Sequence, residues 1–504
     1  MEPTTTSVLE RALAAYAAQG YLQGAVLVGK GPDILLRRGY GHASEEHAVP
    51  NRPDTPFRIA SLSKAFTAQA ILLLREEGRL ALDDTACRHL PSFPYREITI
   101  RQLLTHTAGL GDLTFSLEYW RVHQRVYHPP GELLELQLKQ PRAARPGTFR
   151  YSNFGYMVLG LIVKACSDLS FGDFLRSRLF DPLGMIRTGH DDGRTVIPEA
   201  AAGYSIHREL VRAEHADAAN GFGGFSLYAT ADDLHRWSAC VLEGVRSSDG
   251  RTGTVTAAAT GERGASGGTG ESPSIRTVLA SSDACAFGWA RRRILLGGAE
   301  RTVLSLTGDV SGFRAQLLLL PEEAVHVIVL SNRNLTPVEA IARRIAGHLF
   351  GEPFQAEERQ ALPEPPLSSP AGVYLPETVG TTTGAFPADA DAETAFLARL
   401  AGLSAGEVSD GRFYPLFEEA GFDPAGMLAV FEEDGRSYLF QQIGYSWYVL
   451  PLVLVRQTER EAEYATGYVD GSLTLRREKH GTARTAVYQG PDGSQRTAFR
   501  RSGI

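Results

Sequence analysis

The chain has 504 residues, 43% hydrophobic and 22% charged, and its 51 Lys+Arg against 58 Asp+Glu leave a formal charge of −7. Such a length builds two or three domains, and the absence of a basic excess excludes a general nucleic-acid binder or a polybasic membrane anchor. No apolar run reaches the about 18 residues that suggest a membrane span, and the first twenty residues lack a secretory pattern. Four scattered cysteines, Cys87, Cys166, Cys240 and Cys285, read as buried thiols, and a cytoplasmic location is expected.

In chain order, Ser7 and Glu10 form a capping-box pattern that predicts a helix over 8–19, stopped by Gly20. Strands follow over 25–29 and 34–39, around a Lys30-Gly31-Pro32-Asp33 turn. A helix over 62–77 carries Phe66, Ala70, Leu73 and Leu74 on one face and ends at Gly78. Shorter helices are predicted over 100–105, 153–167 and 171–180, with another after Thr230. Strands over 316–320 and 325–331 lead to a final helix, with Thr336 as its cap, Pro337 in its first turn, Glu339 completing a box, and Gly351 as its stop. One domain results only if the early and late strands join a single antiparallel sheet covered by the first and last helices, with a helical lobe between them.

Residues 247–274 are Gly/Ser/Thr-rich and read as a flexible insertion; 361–370, ALPEPPLSSP, read as a linker. Beyond it, strands are predicted over 372–375, 412–417, 427–432, 437–443, 445–455 and 471–475, and a short helix over 393–401. Turns at Asp434-Gly435 and Asp470-Gly471 complete the pattern of a small antiparallel barrel or sandwich. The expected division is 1–355, a linker over 356–370, and 371–504.

The strongest chemical signal is Ser61-Leu62-Ser63-Lys64 at the start of the long helix. Residues three apart share a helical face, so the amine of Lys64 can reach the hydroxyl of Ser61, and the helix N-terminus disfavours a charged lysine. A serine hydroxyl becomes nucleophilic when a neighbouring base takes its proton. An N-capping serine beside a solvated lysine fits the same four residues. The chain holds only five lysines, however, arginine carrying the remaining positive charge. Arginine cannot surrender a proton in a protein and lysine can, so a lysine at this spacing points to proton transfer. Tyr151-Ser152-Asn153 precedes a helix; the phenol can join a proton relay, and Asn153 can orient Lys64 or hold a carbonyl. Leu306-Thr307-Gly308-Asp309 lies on a strand whose glycine admits close approach of a substrate to the backbone.

In this order the three elements resemble the serine β-lactamase and penicillin-binding-protein superfamily, with its Ser-x-x-Lys, Tyr-x-Asn and Lys/His-x-Gly motifs. The stretch 98–110, ITIRQLLTHTAGL, the segment Asp181-Pro182-Leu183-Gly184-Met185, Gly223-Gly224 followed by Thr230-Ala231-Asp232-Asp233-Leu234, Gly312-Phe313 and Leu330-Ser331-Asn332 are also similar to the family, over about residues 5–352. The resemblance implies an α/β fold of β-lactamase type, here followed by a lipocalin-like barrel. It implies an acyl-enzyme on Ser61, activation by Lys64 and Tyr151, and an oxyanion site at the amides of Ser61 and Asp309. The expected substrate-contacting set is Asn153, Thr307, Gly308 and Asp309, with no cofactor and no metal.

Leu306 departs from the family pattern, standing where a lysine or histidine is usual. It can neither donate a hydrogen bond nor bind a substrate carboxylate, so poor β-lactam hydrolysis is expected unless Arg145, Arg150 or Arg314 compensates. The expected activity is hydrolysis of an ester or amide, including one beside a D-amino acid. A peptide cyclase drawing on a carrier-protein-bound peptide, and a binding module without turnover, are the alternatives. Gly264-Ala265-Ser266-Gly267-Gly268 mimics a nucleophile elbow but lacks the strand and helix such an elbow needs. His106 is expected to pack and hydrogen-bond.

Overall fold

The computed structural model describes residues 5–116, 118–246, 285–354, 371–376, 390–404, 407–408, 427–443, 446–466, 471–477, 483–490 and 495–499. The expected insertion over 247–274, the linker over 361–370 and the strand over 412–417 lie outside the described residues.

Gly24–Lys30 is buried along nearly its whole length, so both of its faces must find cover. It supplies that requirement by sitting inside a seven-stranded antiparallel sheet. The order from one edge is Cys285–Ala286, Trp289–Leu296, Ala299–Val310, Phe313–Leu320, Val325–Ser331, Gly24–Lys30 and Asp33–Tyr40. Ala25 pairs with Leu330 and with Gly39, so the early and late strands meet as the sequence requires. Val26 and Val28 face one way, with Leu9, Leu13 and Tyr16 of the Thr5–Ala18 helix and Ile341 and Ile345 of the Val338–Leu349 helix. Ala25 and Leu27 face the other way, into a larger core beneath the helices Ser63–Glu76, Asn153–Ser167 and Ala231–Arg246. There Phe66 stacks on Trp237, centroids 4.2 Å apart, and the Trp237 indole donates to Oε1 of Gln69 at 2.9 Å. Such aromatic contacts add about 1 kcal/mol beyond the burial itself.

Two predicted caps are replaced. The first helix already runs through Ser7 from Thr5, and Glu10 pairs with Arg38. The last helix begins after Pro337 without a side-chain cap, because the Thr336 hydroxyl is paired with Oγ of Ser331. Of the cysteines only Cys240 is buried; Cys87, Cys166 and Cys285 are partly exposed. No single helix among the described residues is long and apolar enough to cross a membrane.

The C-terminal residues form an eight-stranded antiparallel meander: Gly372–Pro376, Leu428–Glu433, Arg436–Ile443, Ser446–Gln457, Glu461–Thr466, Ser472–Arg477, Ala483–Gln489 and Gln495–Phe499. The first strand pairs with the last, so the sheet closes into a barrel. Closure removes the exposed edges that an open sheet of this size would carry. The strand predicted over 445–455 is thus a barrel strand, Ser446–Gln457. The strands at 461–466, 483–489 and 495–499 were not evident from periodicity, being short and mixed in polarity.

A hairpin, Tyr204–His207 and Glu209–Arg212, ties this barrel to the rest of the chain. The N–H of Arg208 donates to the carbonyl of Val449 at 2.8 Å, and its guanidinium lies 2.7 Å from Glu433 and also meets the carbonyl of Ala401. At the hairpin's other end, a Cβ on Gly203 would stand 2.8 Å from the Phe313 ring and 3.1 Å from Gly312, so only glycine lets the two turns touch.

Candidate active site

Ser61 lies in a single 3-10 turn, Ala60–Leu62, and the α-helix begins at Ser63. The expected α-helical start is therefore tighter by a few residues, but the spacing still delivers the contact: Nζ of Lys64 lies 3.0 Å from Oγ of Ser61. Ala60 just before it has φ 47°, a left-handed conformation that costs a non-glycine residue free energy. The strand Ala299–Val310 holds this turn in place. A Cβ on Gly308 would meet the Ile59 carbonyl at 2.3 Å, so the glycine permits the close approach expected of it.

Lys64 is 1% exposed and has three oxygen neighbours: Ser61 Oγ, Asn153 Oδ1 at 2.7 Å and the Gly224 carbonyl at 2.9 Å. Two of these can only accept. A neutral amine has two N–H bonds and one lone pair, so Asn153 and Gly224 take the hydrogens and the lone pair faces the Ser61 hydroxyl. Burial pushes the Lys64 pKa down to about 7, although the charges of Asp112 and of Cys285 oppose the shift. The neutral base is therefore accessible near physiological pH.

The Tyr151 hydroxyl donates to Oγ of Ser61 at 2.8 Å from the opposite side. Its ring is stacked on His106, whose Nδ1 accepts from the Ser152 N–H at 3.1 Å. Burial pushes His106 down to about 3, so the imidazole is neutral. Asn153 opens the Asn153–Ser167 helix, while Ser152 is the residue that caps it, accepting from Gly155 N at 3.0 Å. Nδ2 of Asn153 donates to Oγ1 of Thr114 at 2.9 Å, which turns Oδ1 towards Lys64.

Two contributors, Asp112 and Thr114, carried no motif, and a third, Gly224, belongs to the Gly223-Gly224 pair whose role the sequence left unassigned. Asp112 accepts from the N–H groups of Asn153 and Phe154 and from the Ser152 hydroxyl, placing a carboxylate at that helix N-terminus. Thr114 orients Asn153. The Gly224 carbonyl is delivered by a turn in which Gly223 has φ 69° and a Cβ there would meet the Tyr156 carbonyl at 2.5 Å. The signal for Asp112 was faint: an Asp-x-Thr turn, realised as bonds from both Thr114 N and Oγ1 to the carboxylate.

The third strand is split by its pleat. Leu306 and Gly308 share the face that packs on the Ile59–Leu62 region, and Leu306 is buried in the apolar core. Thr307 points the opposite way, its hydroxyl 2.7 Å from Oε1 of Gln316. Asp309 shares that far face with its cross-strand partner Arg314, 3.9 Å away, so Arg314 is not a replacement for the missing cation at Leu306. Arg145 and Arg150 are exposed on the loop before Tyr151. Beside these residues stand two aromatic rings, Phe115 next to Tyr151 and Phe149 next to His106, 45% and 53% exposed.

Residues 9–352 match the Beta-lactamase family. The chain belongs to that family. It is 30% identical over 355 residues to penicillin-binding protein 4* of Bacillus subtilis, an alignment covering 67% of this chain and 74% of that protein. Over 197 residues it is 32% identical to protein flp of Staphylococcus aureus, covering 37% of this chain and 39% of that one. Among solved structures, the octameric penicillin-binding protein homologue from Pyrococcus abyssi superposes with a TM-score of 0.57 at 18% identity, over 97% of this chain and 99% of that one. The D-amino acid amidase from Ochrobactrum anthropi SV3 gives 0.56 at 19% identity, over 69% and 99%. At these identities the superpositions establish the fold. The protein is a β-lactamase-like serine hydrolase of this family.

Proposed function

We propose that this enzyme opens an uncharged ester or amide with an apolar acyl group, through an acyl-enzyme on Ser61. The observation that carries the proposal is the buried Lys64 amine, with two fixed acceptors and its remaining position against the Ser61 hydroxyl. Lys64 takes the Ser61 proton as Oγ bonds to the substrate carbonyl carbon. The oxyanion is met by the N–H groups of Ser61 and Asp309, donors aimed at charge that develops in the transition state. As the carbon–leaving-group bond breaks, Tyr151 gives its proton to the departing oxygen or nitrogen and is reprotonated from Lys64. The same pair then activates water, which releases the acid and restores Ser61.

Asn153 holds Lys64 in position. Gly308 brings the strand close enough for Asp309 N to serve, and Thr307 acts through its backbone alone. Residues 1–355 form the catalytic unit and 371–504 the barrel unit, joined by the linker over 356–370. The substrate class follows from Leu306 and from the exposed Phe115 and Phe149: apolar surface at the mouth favours an apolar acyl chain, and a leucine offers a carboxylate nothing. An amide next to a D-amino acid fits where its acyl side is uncharged, as does a peptidyl ester or carrier-bound peptide intercepted by an amine.

The test is a fluorophosphonate adduct located by mass spectrometry, with a panel of phenyl esters. Labelling at Ser61 that disappears in Ser61→Ala, with neutral aryl-acyl esters outpacing carboxylated ones, supports the reading. No label and no turnover across esters and amides means a binding module. Product analysis with a peptidyl thioester bearing an internal amine separates cyclisation from hydrolysis.

A further inference from the structure

The barrel interior contains a group that the catalytic reading leaves unused. All eight strands supply side chains to one buried apolar cluster, among them Tyr374, Leu439, Tyr448, Tyr464, Leu475 and Tyr488, and Ile206 and Leu335 from outside the barrel join it. On the strand Arg436–Ile443 the outward residues Tyr438 and Phe440 pack with Phe396 and Leu400 of the Ala390–Ala401 helix. Leu439 and Gln441 point inward. Gln441 is fully buried, flanked in register by Leu428 on one side and Tyr448 on the other. Neither its Nε2 nor its Oε1 has a hydrogen-bond partner among the described residues. A buried amide with both ends unpaired is costly, and a glutamine is an odd choice where leucine or phenylalanine would fill the same wall.

The lining opposite is built small. The strand bearing Gln441 and the strand Ala483–Gln489 are four strands apart in either direction round the barrel. On that far wall Ala462, Leu475, Ala486 and Ala498 form one cross-strand row, with three of its four members alanine. Eight strands make an interior just wide enough to be filled by side chains or to hold one small ligand. Here one inward row of the far wall is mostly methyl groups, beside a row of Tyr464, Leu473, Tyr488 and Arg496, and the strand four places away carries an unmatched donor and acceptor.

We infer that the C-terminal barrel binds a small uncharged carboxamide with an apolar body, whose amide pairs head to head with Gln441 while its chain lies along the alanine row. A carboxamide is the chemical complement of Gln441, giving one donor and one acceptor to the two it meets. A carboxylate can only accept, so against Gln441 it would pair with Nε2 and leave Oε1 without a donor. This inference does not depend on the chemistry assigned to Ser61.

Isothermal titration of the full chain carrying Ser61→Ala, which silences turnover, with decanamide, and with decanoate at pH 8 as the charged control, tests it. Binding of decanamide that is at least tenfold weaker in Gln441→Leu, unaffected in the mouth variant Phe115→Ala, and at least tenfold stronger than binding of decanoate supports the barrel site. Ala486→Phe, which fills the far wall and leaves Gln441 intact, should also abolish it, and circular dichroism establishes that both barrel variants are folded. If either fails to fold, protection of Gln441-strand amides from hydrogen exchange by decanamide in the Ser61→Ala chain replaces it. No binding, binding unchanged in the folded variants, binding lost only in Phe115→Ala, or no added protection overturns the inference.

Discussion

The imidazole of His106 lies against the ring of Tyr151, centroids 4.5 Å apart and planes 25° apart, while its Nδ1 holds the N–H of the next residue, Ser152. His106 touches neither Ser61 nor Lys64 through a hydrogen bond, and it carries φ 58°. It is a positioning residue for the phenol. His106→Asn, which tolerates the same backbone, should lower kcat on the order of tenfold with KM little changed, because a small displacement of a proton donor is enough to slow the chemistry. Since burial holds the imidazole neutral down to about 3, the pH profile between 5 and 9 should keep its shape. A limb that vanishes in this variant would instead make His106 a titrating participant.

Lys64 sets the acidic limb. Its pKa, pushed down to about 7 by burial, predicts kcat/KM that rises with pH through that value as the amine loses its proton. The sign for stability follows from the same shift. Between about 7 and its ordinary value of 10.5, the unfolded chain binds a proton on this lysine that the folded chain does not, so this group makes stability rise with pH across that window. Lys64→Met should remove that rise, measured as denaturation midpoints at pH 7 and 10, and reduce kcat/KM by roughly a thousandfold.

Asp112 works on Lys64 at a distance. Its negative charge favours the protonated amine, and its oxygens hold the N-terminus carrying Asn153. Asp112→Asn should therefore shift the acidic limb to lower pH and cost about 1 kcal/mol of stability from the weakened helix terminus. A limb displaced upward would show that the carboxylate acts otherwise.

Leu306 can be given the missing cation. Leu306→His should cost about 1–3 kcal/mol, because it places a polar ring in an apolar cluster. The apolar surroundings hold its pKa below the ordinary imidazole value, so the ratio of kcat/KM for a carboxylated ester over its neutral analogue should climb only as the pH falls into the acid range where the ring is protonated. A ratio flat in pH would mean that this position does not face the substrate.

Phe115→Ala tests the apolar mouth. Removing the exposed ring should raise KM for a phenylacetyl ester roughly tenfold and leave an acetyl ester unchanged, with kcat similar for both, since uniform binding is lost rather than transition-state contact. Equal effects on both esters would place Phe115 outside the acyl site.

Residue spacing alone announced Ser61 and Lys64, because three residues cover one turn whether that turn is α-helical or 3-10. It also announced the sheet that joins the chain's early and late strands, since an all-apolar run such as Ala25–Gly29 demands cover on both faces. The Asn153 helix was legible for the same local reason, and the barrel in outline from its turns. What the local pattern left open was which groups meet across long separations. The Gly224 carbonyl, Asp112 and Thr114 reach Lys64 and Asn153 from elements far apart in the chain, and only packing brings them there. The pleat of one strand decided that Leu306 enters the apolar core and Gly308 meets the Ile59 carbonyl while Thr307 turns to Gln316, a choice of side that a strand's sequence leaves open until its neighbours are known. Burial, a property of the assembled core, is what makes the Lys64 amine a base.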